Sequence, residues 1–281
     1  MPRDTGFPAS DAQFDFSRAR RGRLLSRLAT RLRREPGDVN VILPFEEVAE
    51  ALGRVGERSL GLHSIELDSI VGTVDRHKEF DRGFRPTSGR VRPRWERIAQ
   101  AERRGESMPP IRVFRIGELH FVEDGHHRVS VARAQGRTDI DAYVTEVITK
   151  VGADRAIRLA DLPLKDHERV FYERVPLPRE ARRRIQVTEP AWQYGDLAEA
   201  VEAWGFRTMQ AQGELMTRAQ VAEAWFGEDY LPIVEALREA DLVRGGTETE
   251  RYMRVTCDRY RLLRTHDWDD SVVDRLRAEQ G

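Results

Sequence analysis

The sequence predicts an α+β domain followed by a mainly helical one. Three observations lead to this fold class. Between residues 64 and 147, strand-like and helix-period runs follow one another in the order β, α, β, β, α, β. From Glu189 onward the apolar residues recur at helical spacing, as Leu197, Val201 and Trp204 do. Between these stretches, residues 151–188 read as a connector with Pro163, Pro176 and Pro178 and the basic run Arg179–Arg184.

Taken in order, residues 1–37 read as a flexible N-terminus carrying a basic amphipathic helix. Residues 1–16 are polar and lack periodicity, which predicts disorder. Over 17–34, Leu24, Leu25, Leu28 and Leu32 share one helix face and arginine fills the rest, as in a docking helix with a solvated basic side. Pro36-Gly37-Asp38 breaks the chain, and a short helix follows from Pro44 to Leu52, stopped by Gly53. Ile65, Leu67 and Val71 alternate with polar residues and predict a strand ending at Gly72. A charged loop with two aromatics runs from Asp75 to Pro86. Next come a helix around Arg94–Arg104 that buries Trp95, a hairpin of Ile111–Arg115 and Leu119–Glu123, a helix from His127 to Gln135 capped by Gly136, and a strand over Ile140–Val147.

Composition bounds the function classes. Charged residues make up 34% and hydrophobic residues 40% of 281, a globular profile with enough apolar side chains for a core. No run of about 18 apolar residues exists, so neither a transmembrane helix nor a membrane partner is expected. The N-terminus has no secretory apolar core and Cys257 is the sole cysteine, which together predict a cytoplasmic protein without disulfides. Net charge is −1, so no global field draws the chain to DNA. Charge is nevertheless uneven: residues 1–34 hold nine Arg and three Asp, and residues 189–281 hold 19 acidic and 11 basic side chains.

The strongest chemical feature is Asp124-Gly125-His126-His127-Arg128, where a strand enters a tight turn and then a helix. Gly125 lets the backbone turn and approach a ligand closely. The first turn of the helix offers free N–H groups and the positive end of its dipole. His126, His127 and Arg128 lie at that end, and arginine binds phosphate in a bidentate way. Asp124 precedes the helix, where it can cap it or hold a metal or a hydroxyl. The pentapeptide alone serves an ordinary Asp-Gly turn equally well. No metal site is expected, because adjacent histidines diverge from a helix start and no cysteine is near.

Residues 64–147 resemble the N-terminal domain of ParB-like proteins, within the ParB and sulfiredoxin group. The match is carried in order by Ser64-Ile65-Glu66-Leu67-Asp68-Ser69-Ile70, by Met108-Pro109-Pro110-Ile111-Arg112-Val113, by Phe121-Val122-Glu123-Asp124-Gly125-His126-His127-Arg128-Val129, and by Ala132 and Gly136. The resemblance covers about a third of the chain and implies a mixed-sheet, nucleotide-binding domain over 38–150; the helical domain over 189–281 rests on residue spacing alone. It also implies that the glycine-led turn binds nucleotide phosphates. Sulfiredoxins place a reactive cysteine where His126 stands, so their redox chemistry is excluded. Partitioning ParB proteins favour a basic Gly-Glu-Arg-Arg type of turn, and His126-His127 departs from it. The Asp-Gly-His-His-Arg form is more similar to the free serine kinase branch, which implies ATP or ADP with magnesium and phosphate transfer to a small hydroxyl compound; CTP is the other nucleotide that the group implies.

Phosphoryl transfer needs a base near the acceptor and cations around the phosphate. The 75–85 loop is the expected source: Glu79 as base, Asp81 as second choice, Arg82 and Arg85 as phosphate clamps. A solvated charged loop accounts for each of these residues as well. A different class of function is a DNA-associated, partitioning-like adaptor using the basic arm at 17–34. In the helical half, Met216–Ala224 starts like the first helix of a helix-turn-helix, with Tyr230–Ala240 as recognition helix. Glu235, Glu239 and Asp241 on that helix oppose contact with phosphates. Further helices are expected over Thr247–Arg264 and Asp270–Ala278. A third possibility is a scaffold that has lost its ligand.

Overall fold

A computed structural model describes residues 4–76, 78–240 and 245–263. The chain divides into two compact units, Met1–Pro163 and Leu164–Gly281, with the division inside the stretch read as a connector. The first unit is built on one mixed sheet of six strands: β1 (Leu43–Pro44), β2 (Arg54–Glu66), β3 (Ile70–Thr73), β4 (Ile111–Ile116), β5 (Leu119–Asp124) and β6 (Asp139–Thr149). Their spatial order is β1-β3-β5-β4-β6-β2. β4 and β5 form the expected antiparallel hairpin, whereas β3 lies parallel to β5 and β6 parallel to β4. The α+β expectation therefore holds at the level of a mixed sheet with helices.

β2 was not expected over residues 54–64. Most of its side chains are exposed, so the burial that produces a period of two is missing, and register shifts near Gly56 and Gly61 break the alternation further. The strand expected from Ile65 to Val71 is two strands joined by a 3-10 turn at Leu67–Ser69. β3 is buried at all four positions because it is flanked by β1 and β5. Gly72 is required there: a Cβ would overlap the Phe121 ring and the Leu43 carbonyl.

Five helices begin in the first unit: α1 (Pro8–Leu32), α2 (Phe45–Ala51), α3 (Arg92–Arg103), α4 (His126–Ala134) and α5 (Leu162–Arg174), the last continuing into the second. Two expectations about the N-terminus are corrected. Residues 8–16 are not disordered but form the first half of α1, with Ala12 and Phe16 buried against α3 and α4. Phe16 meets Trp95 edge-on, with ring centroids 5.5 Å apart. Asp11 and Asp15 are also buried, facing Arg103 of α3, and Arg18 donates to the Ala134 carbonyl at the end of α4. The leucine face does not dock: Leu24, Leu25, Leu28 and Leu32 are 54–76% exposed. What faces inward over that half is polar. Ser26 donates to the Asn40 amide oxygen at 2.9 Å, and the Asn40 amide donates to Thr30 Oγ1 at 2.8 Å.

The second unit is helical, with α6 (Arg179–Arg182), α7 (Pro190–Gln212), α8 (Arg218–Trp225), α9 (Leu231–Glu239) and α10 (Glu248–Leu263). A helix-turn-helix is ruled out by α8 and α9 themselves. They are joined without a turn by a π-helical segment, Phe226–Tyr230, so residues 218–239 form one continuous helical run. Gly205 of α7 permits close approach to α8, since a Cβ there would overlap Val221. Trp225, Tyr230 and Tyr252 pack together, and their polar atoms are satisfied internally: the Trp225 indole donates to the Tyr252 hydroxyl at 2.8 Å, and Tyr230 reaches the Arg184 carbonyl at 3.1 Å. The helix expected over 270–278 lies outside the described residues. Among the described residues, no helix is long and apolar enough to cross a membrane.

Candidate functional site

The Asp124–Arg128 turn lies where β5 ends and α4 begins. Gly125 holds the left-handed region at φ 104°, and a Cβ would also overlap the Ile111 side chain of β4. Both the backbone and the packing therefore exclude larger residues. No side chain caps α4, so its first N–H groups open into a hollow of about 150 Å³. Asp75, Arg76, Arg94, Asp124, Gly125 and both histidines are on its wall.

The histidines are 4% and 5% exposed. His126 Nε2 lies 2.6 Å from Thr73 Oγ1 at the end of β3, and its ring stacks on those of Phe80 and Phe84. His127 meets Phe80 edge-on at 5.4 Å. Burial in this aromatic setting pushes His126 down to about 4, with Arg76 acting in the same direction and Asp124, Glu79 and Asp75 against it. His127 is likewise pushed down to about 4, first by burial and then by Arg94. Both rings are thus neutral at neutral pH. The cationic side chains on the wall are Arg76, Arg94 and Arg128, set against Asp75, Glu123 and Asp124, and the helix N–H groups add partial positive charge. His127 Nδ1 is buried and has no hydrogen-bond partner among the described residues.

The other expected residues divide into two sets. Glu79 is brought close to the turn: its carboxylate accepts from Arg76 at 3.0 and 3.1 Å, and it acts on both histidines. Asp124 stands on the hollow and accepts from Arg128 at 2.6 Å. Arg128 also lines the hollow, but its guanidinium is engaged: it donates to the carbonyls of Pro109 and Pro110 as well as to Asp124. Asp81 is 7% exposed and bound by Arg85, whose other nitrogens reach the Gly22 carbonyl at 3.1 Å and Asn40 at 3.4 Å. Arg82 donates to the carbonyls of Ile157 at 2.7 Å and Arg155 at 2.8 Å. Asp81, Arg82 and Arg85 therefore fasten the 75–86 loop to α1 and to the segment after β6, away from the hollow's wall.

Thr73, Arg76 and Arg94 were not singled out from the sequence. Arg76 belongs to the charged loop, whose sequence alone does not order its members. Arg94 reaches the hollow from α3 through tertiary packing, which leaves no local signature. Among the described residues no group of three or more His, Cys, Asp or Glu is arranged to hold a metal ion. Three carboxylates, Asp75, Glu123 and Asp124, line the hollow, Glu123 being paired with Arg112, and a magnesium ion carried on phosphates takes one or two.

No protein-family model matches the chain, and no curated protein is significantly similar to it.

Proposed function

We propose that the start of α4 binds a phosphate group of a nucleotide, with ATP, ADP and CTP as the candidates. The observation that carries this reading is the buried Nδ1 of His127, which has no hydrogen-bond partner among the described residues, on a residue that lines the hollow into which the uncapped helix opens. A buried polar atom without a partner costs about 1–3 kcal/mol, which a phosphate oxygen or hydroxyl would offset. Arg94 is exposed on the rim and supplies a charge-assisted bond. At about 150 Å³ the hollow is well below the ~300–1,000 Å³ of whole-ligand pockets, so it suits one phosphate group, with ribose and base lying outside it. The ordered resemblance to ParB-like domains supports the same assignment.

A small-molecule kinase is the narrower form of this reading. Glu79 beside the hollow supports it, and Asp75 with Asp124 would receive magnesium. Glu79 would have to leave Arg76 before it could accept a proton from a hydroxyl. Calorimetric titration of the full chain with ATP, ADP and CTP, with and without magnesium, tests binding. Heat that saturates with one nucleotide, and is weakened by Arg94→Ala, is the expected result. No saturable heat at millimolar nucleotide would overturn the proposal.

A further inference from the structure

The second half of α1 is inverted relative to an ordinary amphipathic helix. Its inward face is polar, with Ser26 and Thr30 bonded to Asn40 and the Gly22 carbonyl bonded to Arg85. Its outward face carries Leu24, Leu25, Leu28 and Leu32, 63%, 66%, 54% and 76% exposed. At about 100° per residue these leucines cover an arc of roughly 100°, wider than the seam that one partner helix covers. Arg20, Arg27 and Arg31 border the arc on one side and Arg21 stands within it. All four are exposed and have no hydrogen-bond or ion-pair partner among the described residues. Residues 17–34 contain no Asp or Glu, so the face carries one sign of charge along its length.

From this arrangement we infer that the outward face of α1 docks on an anionic phospholipid surface, lying in the interface rather than spanning it. Leucine side chains enter the headgroup boundary while the arginine heads stay among the phosphates, as their long stems allow. The charge pattern selects this occupant. A second copy of α1 would bring two arginine rows together, and a nucleic acid would meet the leucines at its phosphates. One acidic helix would cover only part of the arc. A plane of anionic headgroups reaches every arginine and accepts the whole leucine arc at once. This inference does not involve the α4 hollow and stands or falls separately from nucleotide binding.

Flotation of the full chain with vesicles tests it, using phosphatidylcholine alone and phosphatidylcholine mixed with phosphatidylglycerol. The chain is expected to float with the mixed vesicles only, and to be released as salt rises from about 0.1 to 0.5 M. Leu24→Asp with Leu28→Asp should weaken binding by about a hundredfold or more. Each of Arg20→Gln, Arg27→Gln and Arg31→Gln should weaken it by about fivefold. The leucines are exposed, so circular dichroism and thermal midpoint of the leucine variant should match the parent; Leu28→Ser provides a milder second variant. Absence of flotation with mixed vesicles overturns the inference. So does flotation that the leucine variants leave unchanged. Concentration-dependent dimerisation, or DNA binding abolished by the same leucine substitutions, without vesicle binding, also overturns it and assigns the face to that partner.

Discussion

Thr73 Oγ1 sits 2.6 Å from His126 Nε2, joining the last residue of β3 to the first of α4. Thr73 Oγ1 also accepts from the Arg76 amide at 3.2 Å, so one hydroxyl fixes both the helix start and the entry of the charged loop. Thr73→Val keeps the shape and strands the buried imidazole nitrogen. It should cost about 1–3 kcal/mol in urea unfolding. An unchanged midpoint would show that the contact contributes nothing.

Acid should destabilise the fold through its buried imidazoles. His120, His126 and His127 are each held down to about 4, in every case first by burial. The unfolded chain takes up these protons near pH 6.5, the folded one only near 4. Their contribution is therefore complete above about pH 6.5, is lost progressively as pH falls toward 4, and falls no further below that. Urea midpoints between pH 7 and 4 should decline, and His127→Gln should decline less steeply than the parent. Equal slopes would remove His127 from the account.

Gly125→Ala places a Cβ at φ 104° and against Ile111. Backbone strain of about 1–3 kcal/mol adds to an overpacking cost of similar size. Thermal unfolding should show a large loss. Ile111→Ala leaves a core cavity of its own, so in a double-mutant cycle the relieved overlap should appear as coupling, the pair costing less than the sum of the two single variants.

Arg128 and Arg94 should separate stability from binding. Arg128→Ala frees the Pro109 and Pro110 carbonyls and Asp124, so its main effect should be on the unfolding midpoint. Arg94 has no hydrogen-bond or ion-pair partner among the described residues, so Arg94→Ala should leave the midpoint within about 0.5 kcal/mol. It should weaken nucleotide binding by about 1.5–3 kcal/mol in titration calorimetry. The reverse pattern would return the phosphate clamp to Arg128.

Arg103 faces Asp11 and Asp15, which are 1% and 0% exposed. Arg103→Met takes one cation from this pair, leaving Asp15 with Arg18 at 3.1 Å and Asp11 with the donors of Thr5, and should cost about 1–3 kcal/mol. Protease cleavage within α1 should become faster as the helix detaches. A chain as stable as the parent would mean that other donors suffice.

Elements whose one face is buried were legible in the sequence. The β4–β5 hairpin alternates correctly, α3 announces itself by Trp95, Ile98 and Ala99, and the glycine before α4 marks the turn. β2 was not legible because solvent meets most of it, leaving polar and apolar residues free of any period. α1 misled for a different reason. Its leucines have a helix period, but period does not say which side faces the core, and Ala12, Phe16, Ser26 and Thr30 took that side. At the candidate site the turn itself could be read. The partners could not: Thr73 and Arg94 arrive from β3 and α3, and the pairing of Arg82 with carbonyls beyond β6 depends on where the chain returns.

The long pairing of β2 with β6 sets a timetable. Residues 54–66 find their partner only in residues 139–149, so the strand made second is the last to be joined. During synthesis, β2 waits while about 70 further residues emerge, its hydrogen-bonding edges open and its register loosened at Gly56 and Gly61. A nascent chain halted before residue 139 would present that edge to any neighbour, and its aggregation would reflect the missing strand rather than a defective core.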